Sequence, residues 1–175
     1  MSKSLFVLIV TALFWGISGC SADSNYGIDD YFQRASSIRN ELESERVAYN
    51  DAWVTWRSAI SEQDNELWWE PYGPLGTAIG SWADANYTAI NKLNALIEPS
   101  NIEVRQWGRN EIAARTQLVK ALDQLYEQAG LIYEDRSLAE LSHRTESKMQ
   151  DAEIWLKQNE LSWNDLVTRF KWVPQ

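Results

Sequence analysis

The chain has 175 residues, a formal net charge of −9 at pH 7, ten tryptophans and a single cysteine. The acidic balance argues against nucleic acid as a partner, because binding to phosphates requires clustered Lys and Arg. It also argues against a polybasic contact with anionic lipid. The single cysteine excludes an internal disulfide and any zinc site built from several thiolates.

Residues 1–19 have the pattern of a secretory signal peptide, with Lys3 before a short apolar run. The run is shorter than the ~20 apolar residues that span a bilayer. It ends in Ile-Ser-Gly-Cys at Cys20, which resembles the lipobox of bacterial lipoproteins. The resemblance implies cleavage before Cys20 and lipidation of its sulfur, with palmitate as an expected acyl group. Because Ser21 rather than Asp follows, it also implies the periplasmic face of the outer membrane.

The segment after the signal predicts a tether and then a long helix. Residues 20–27 are polar and short, which is typical of a linker. Residues 28–63 predict one continuous helix, because apolar residues recur at spacings of three and four with no interior proline or glycine, and only Glu45 interrupts them. The positions expected to face the core are Tyr31, Ala35, Ile38, Leu42, Tyr49, Ala52, Trp56 and Ala59. We therefore expect a folded domain over residues 28–175.

Residues 64–76 predict a reversal, since two prolines and two glycines fall within its last six positions. The candidate binding loop lies here: Trp68, Trp69, Pro71, Tyr72 and Pro74. Exposed rings stiffened by proline stack on sugars or dock proteins at low entropic cost. The alternative is that the tryptophans fold back and plug one end of the bundle. We favour the plug, because adjacent exposed tryptophans promote aggregation.

Two further helices are predicted on either side of Pro99. Residues 75–97 form the first of them, with a shared apolar face: Leu75, Ile79, Trp82, Ala89, Leu93 and Leu96. The next helix begins at residue 100 or 101 and extends to residue 133, with Gly108 and Gly130 as weak positions. Its inward stripe is Leu118, Leu122, Leu125 and Ala129.

The last predicted helix opens with a capping box from Ser137 to Glu140. It either continues to Phe170 or is capped again at Ser162. The expected inward positions are Leu138, Leu141, Met149, Ala152 and either Trp155 or Leu156. No strand pattern occurs, so the predicted fold class is all-α, an up-and-down antiparallel bundle of three to four long helices.

No catalytic, cofactor or metal site is predicted. Glu140 and His143 have the Glu-x-x-His spacing of di-iron bundles, but those proteins need the motif twice and His143 is the only histidine. The sequence has no glycine-rich phosphate loop, no Gly-x-Ser-x-Gly turn and no haem-attachment motif. We therefore expect no cofactor and no catalysis.

The C-terminal helix carries a motif of Glu146, Met149 and Ala152, followed by Trp163-Asn164 and then Leu166 and Phe170. This motif resembles the last helix of the LemA-like family, envelope proteins with a long-helix bundle. The stretches at 121–125 and 133–135 and the Ala-Trp pair at 52–53 are also similar to that family. The chain departs from it at Glu153, where Arg is usual, at Lys171, where Pro is usual, and throughout the Trp-rich loop. The resemblance implies a helical bundle and carries no catalytic residues.

Taken together, these observations predict a lipid-anchored periplasmic protein. We expect it to act as an envelope interaction or assembly factor with an unidentified protein partner. The alternative is a cell-wall enzyme or enzyme inhibitor that binds peptidoglycan or another glycan through the Trp-rich loop. Exposure of Trp68, Trp69 and Tyr72 beside a carboxylate-lined groove would favour the alternative. Buried rings would favour the first function or a structural role.

Overall fold

The computed structural model describes residues 26–62 and 66–173, all helices and turns. The elements are α1 Tyr26–Asn40, α2 Glu43–Ser61, α3 Tyr72–Asn94, α4 Ile102–Glu134, a 3-10 helix Arg136–Glu140 and α5 Leu141–Arg169. No strand occurs in these ranges, so the predicted all-α class is confirmed. The predicted signal peptide, the lipidated Cys20 and most of the tether lie outside the described residues.

The helices form an up-and-down antiparallel bundle, with α1 and α2 together as its first arm. The start of α4 lies beside the end of α5, where Arg169 pairs with Glu103 at 2.8 Å. The end of α2 lies beside the start of α5, where Arg57 pairs with Glu146. One continuous apolar core connects all the α-helices. In the described ranges, no helix combines the length and the hydropathy that crossing a membrane requires.

The predicted continuous helix over residues 28–63 is wrong, because Glu41 and Leu42 form a turn between α1 and α2. The Leu42 amide donates to the Arg39 carbonyl, three residues back, at 3.2 Å. This turn keeps Leu42 in the core. Glu45, the polar residue that interrupts the apolar pattern of this segment, stays partly exposed. Neither proline nor glycine marks the turn, so the local sequence contains no breaker. The core-facing positions predicted for residues 28–63 are confirmed. All of them are buried except Ala52, which packs at the edge of the core.

The predicted loop over residues 64–76 extends too far, because α3 already begins at Tyr72. Pro71 occupies the N-cap position and Pro74 lies in the first turn. Amides of a first turn have no partner within their own helix, so proline removes no bond there. The face predicted for α3 is buried except Leu96, which is half-buried beyond the end of the helix at Asn94.

The start of α4 follows the prediction, and the start of α5 does not. The Asn101 side chain accepts from the amides of Glu103 and Val104 at 2.9 and 3.1 Å. The predicted capping box at Ser137 is wrong: the Asp135 carboxylate accepts from the Ser137 amide at 2.9 Å. The first amides of a helix have no carbonyl partner within it. Asp135 precedes Ser137 in the chain and accepts from such an amide in its place, and a 3-10 turn follows.

Some of the positions predicted to face inward on the last helix are buried, and others are exposed. Leu138 is 36% exposed rather than buried, because it belongs to the 3-10 turn, whereas Met149 and Ala152 are buried. Of the two alternatives, Leu156 packs against the core and Trp155 is exposed. The Leu141 side chain lies outside the described residues. The helix continues without interruption to Arg169, so it is not capped again at Ser162.

At the end where α1 begins, the core consists largely of rings, which we call the proximal aromatic cluster: Tyr31, Phe32, Trp107, Trp163, Phe170 and Trp172. Trp107 and Trp163 have ring centroids 4.5 Å apart, and Phe32 meets Trp163 edge-on at 5.1 Å. The Trp107 indole nitrogen donates to the Asn159 carbonyl at 3.0 Å. These contacts join α1, α4 and α5 at one end of the bundle.

A helix-ending turn closes the proximal aromatic cluster. Lys171 has φ of 53°, the left-handed conformation that favours glycine. Its amide donates to the Thr168 carbonyl at 3.2 Å, and the Trp172 amide donates to the Val167 carbonyl at 3.1 Å. This is the Schellman pattern. It turns the chain so that Trp172 lies 5.7 Å from Phe32, ring centroid to ring centroid.

Candidate functional site

The candidate binding loop lies at the other end of the bundle, where several rings gather around the start of α3. We call them the distal aromatic cluster: Trp68, Trp69, Tyr72, Tyr126 and Tyr133. Tyr72 stacks on Tyr133 with centroids 4.5 Å apart and planes at 18°. Trp69, Tyr126 and Tyr133 are 46%, 48% and 44% exposed. Unlike the proximal aromatic cluster, this one presents ring faces to solvent.

Each predicted residue of the loop has a distinct environment. Trp68 and Tyr72 are half-buried and pack on the core, whereas Trp69 and Pro74 are exposed and Pro71 is half-buried. Burial raises the pKa of Tyr72, and its neighbours Tyr126 and Tyr133 raise it further. Trp68 thus has the packing expected of a plug, and Trp69 has the exposure expected of a docking residue.

Arg136 organises the distal end, a role that no motif in the sequence indicates. Its guanidinium lies over the Trp68 ring, 5.5 Å from the centroid. The same group donates to the carbonyls of Ile60 and Glu62. Carbonyls at a helix C-terminus have no partner within the helix, so the arginine satisfies them. Arg136 therefore fixes Trp68 to the end of α2 and holds the turn in place.

A second feature of the surface is a crevice of about 990 Å³ between the first arm and α5. We call it the central crevice. Its walls come from α1, α2 and α5, and its floor comes from buried residues of α3 and α4. Residues of both charge signs line it: Arg39, Arg46, Arg115, Lys157, Glu43, Glu111, Glu153 and Glu160.

A buried polar network lies at the floor of the central crevice, where two of its residues, Glu111 and Arg115, line the surface. Arg115 donates to Asn86 at 2.9 Å and to Glu111, and Asn159 donates to Glu111 as well. All four side chains are buried. Burial lowers the pKa of Arg115, and Glu111 opposes that effect. Groups of this kind are tolerated in a core only when their charges and hydrogen bonds are paired.

Sequence reasoning missed this network, although a signal for it exists. Glu111 follows Trp107 by four residues and lies on the same inward stripe as Leu118. Asn86 and Asn159 occupy equivalent places on the apolar stripes of α3 and α5. Polar residues that interrupt three facing stripes predict a shared polar layer in a bundle.

No candidate metal centre emerges from the described part of the chain, where no group of at least three His, Cys, Asp or Glu side chains could hold an ion. The His143 side chain lies outside the described residues, so its pairing with Glu140 stays untested. Comparisons with family models, with curated proteins and with solved structures found no significant match. The LemA-like and lipobox resemblances therefore stay predictions.

Proposed function

We propose that this chain is a lipid-anchored envelope protein whose helical bundle holds the distal aromatic cluster toward a protein partner. The observation that carries the proposal is the exposure of Trp69, Tyr126 and Tyr133 together at one end of the bundle. Aromatic rings are enriched among residues that dominate binding energy at protein interfaces. A fixed support lowers the entropic cost of binding, and Arg136 and the Tyr72–Tyr133 stack provide it.

The position of this cluster relative to the proposed anchor supports the same function. The described chain begins beside Trp107 near the start of α4, and Tyr133 lies near the end of that helix. The 26 residues between them span about 39 Å at 1.5 Å per residue. A lipid at Cys20, joined by a short tether, would leave the distal aromatic cluster at the far end from the membrane.

Photo-crosslinking tests the docking surface. A benzoylphenylalanine placed at Trp69 in the full-length chain should give a discrete crosslinked species in intact cells. The matched control is Trp155, which is also exposed but lies on α5 away from the distal end. Failure to obtain a discrete species at position 69, or the same species at both positions, would contradict the proposal.

The lipid anchor needs its own test. Intact-mass analysis of the membrane fraction should show an acylated chain that begins at Cys20. Cys20→Ala should accumulate unprocessed and lose the acyl mass, because its side chain has no sulfur for the lipid. A Cys20→Ala chain that is cut at the same bond and stays on the membrane would refute the anchor without affecting the docking proposal.

Glycan binding remains the second candidate, favoured by the exposed Trp69 and Tyr126 rings, since sugar rings stack on such faces. Carboxylates lie both in the central crevice and beside the loop, where the exposed Glu70 directly follows Trp69 and Glu134 lies near Tyr72. Co-sedimentation with purified peptidoglycan separates the two functions. Retention that is lost in Trp69→Ala would favour the glycan.

A further inference from the structure

The central crevice contains an arginine that is held in place but makes no hydrogen bond within the described residues. The Arg39 guanidinium lies over the Trp163 ring, 5.3 Å from its centroid. Its nitrogens are 3.9 Å from the nearest oxygens of Glu111 and of Glu160. Hydrogen bonds to charged oxygens are about 2.7–2.9 Å long, so neither carboxylate accepts one here. Arg39 therefore offers a pre-oriented fork of donors to an incoming carboxylate.

An unpaired acid lies farther along the same crevice. Glu153 on α5 lines the wall and, within the described chain, has neither a hydrogen bond nor an ion pair. Loss of hydration raises its pKa, and Arg46 opposes that rise only through its distant charge. The residue is exposed at the crevice wall and has no ion-pair partner among the described residues, so its carboxylate is open to the positive end of a ligand.

The charges lining the crevice balance, which selects against a ligand with a large net charge. Glu43 is bound to Arg46, and Glu111 is bound to Arg115. Setting aside these two hydrogen-bonded pairs leaves two cations, Arg39 and Lys157, and two carboxylates, Glu153 and Glu160, of which Glu160 lies 3.9 Å from Arg39. A ligand with one positive and one negative end complements this pattern, because it adds no net charge to the crevice.

The spacing of the two groups sets the length of the ligand. Arg39 lies level with Glu160, and Glu153 is seven residues earlier on α5. Seven residues of helix span about 10.5 Å. An extended chain covers at most about 3.3–3.6 Å per residue, so three residues cover the same distance. The volume of about 990 Å³ is at the upper end for a small-molecule site and accommodates such a peptide.

We propose that the central crevice binds short peptides with free termini, about three residues long, with the carboxylate on Arg39 and the ammonium on Glu153. This proposal is independent of the docking proposal, because the crevice lies between α1, α2 and α5 and not at the distal end. Trp82 and Trp163 line the crevice, so binding also changes indole fluorescence.

The test is a titration of the full chain with trialanine, in which calorimetry and tryptophan fluorescence measure binding. Trialanine should bind one to one, and acetylating its amine or amidating its carboxylate should each weaken binding by about tenfold or more. Dialanine and pentaalanine should bind less well than trialanine, because their termini do not match the spacing. No binding of trialanine at millimolar concentration, or equal binding of the doubly blocked peptide, would overturn the proposal.

Substitutions locate the site. Arg39→Gln and Glu153→Gln should each weaken trialanine binding by about tenfold or more, while Arg39→Lys should give a smaller loss because it keeps the charge without the planar fork. The controls are Arg34→Gln, an exposed residue on α1 paired with Asp30, and Asp151→Asn, exposed on α5. Both should bind like the parent. If Arg39→Gln and Glu153→Gln also bind like the parent, the site is wrong.

Discussion

The two ends of this bundle use aromatic side chains in opposite ways. In the proximal aromatic cluster the rings pack on one another, and Trp107 is 2% exposed. In the distal aromatic cluster Trp69 and Tyr126 turn large parts of their rings to solvent. Composition alone does not distinguish these two uses, because both ends contain tryptophan and tyrosine. What separates them is how far the rest of the bundle covers each ring.

The comparison has an energetic consequence. Buried rings lose their contact with water and gain close packing, so removing one costs several kcal/mol. An exposed ring contributes little to folding, and several exposed rings in one patch are typical of an interaction site. The difference between the ends therefore assigns stability to the proximal aromatic cluster and is consistent with the docking proposed for the distal aromatic cluster.

The largest expected effect comes from removing a proximal ring. Trp107→Ala should lower the free energy of unfolding by ~3–5 kcal/mol, because it creates a cavity beside Trp163 and removes the hydrogen bond from the indole to the Asn159 carbonyl. Urea denaturation followed by circular dichroism measures the change. Trp155→Ala, at an exposed position, is the matched control and should change stability by less than about 1 kcal/mol. Equal losses in both variants would remove the basis of the comparison.

Substitutions at two helix glycines test the same difference between the two ends. A Cβ at Gly108 would overlap the buried Tyr31 hydroxyl, whereas a Cβ at Gly76 would lie 3.2 Å from Cε2 of Tyr126, whose exposed ring can move. Gly108→Ala should therefore destabilise by ~1–3 kcal/mol. Gly76→Ala should be neutral or stabilising by up to ~1 kcal/mol, because alanine favours helix. A Gly108→Ala variant as stable as the parent would show that the proximal packing is loose.

Alkaline pH should lower the free energy of unfolding, because the buried Tyr31 of the proximal end resists ionisation. Burial, followed by Glu111 and Glu98, raises the pKa of Tyr31 to about 12. The unfolded chain loses this proton near pH 10, so stability should fall between pH 10 and 12 by up to ~1.4 kcal/mol per pH unit. Tyr31→Phe should show a shallower decline, measured by urea denaturation at several pH values. Tyr133→Phe is the control at the distal end, and an identical decline in both variants would contradict this origin.

The smallest expected effect concerns the turn that closes the proximal aromatic cluster. Lys171 has a left-handed backbone that glycine adopts without steric cost. Lys171→Gly should raise the free energy of unfolding by ~1 kcal/mol. Thermal denaturation measures the gain, and a Lys171→Val variant should instead lose stability. A destabilised Lys171→Gly chain would show that the turn is not formed in solution.

The helices and their inward faces were predictable because burial follows the helical period. Trp56, Leu118 and Leu122 are buried at the positions that the spacing of three and four residues indicates. The turn at Leu42 was not predictable, since no proline or glycine marks it and the packing of Leu42 overrides the local pattern. The 3-10 turn after Asp135 was missed for a related reason, because two polar residues compete there to cap the same chain segment.

The candidate sites were predictable to different degrees. The Trp-rich loop is visible in the sequence because rare residues cluster there, but exposure depends on which helices surround each ring, so Trp68 and Trp69 could not be told apart. Glu111 and Arg115 are four residues apart, a spacing that usually indicates a solvated helix face. The inward stripe that Glu111 shares with Leu118 indicates burial instead, but only the packing of α3 and α5 against α4 shows which residues bind this pair.

The most direct test of the difference between the two ends is the free energy of unfolding of the double variant Trp69→Ala, Tyr126→Ala, measured by urea denaturation beside the parent. We expect a change of less than about 1 kcal/mol, because both rings are exposed and neither fills the core. A loss of ~3 kcal/mol or more, equal to that of a buried ring, would contradict it. The distal aromatic cluster would then be a structural plug like the proximal one.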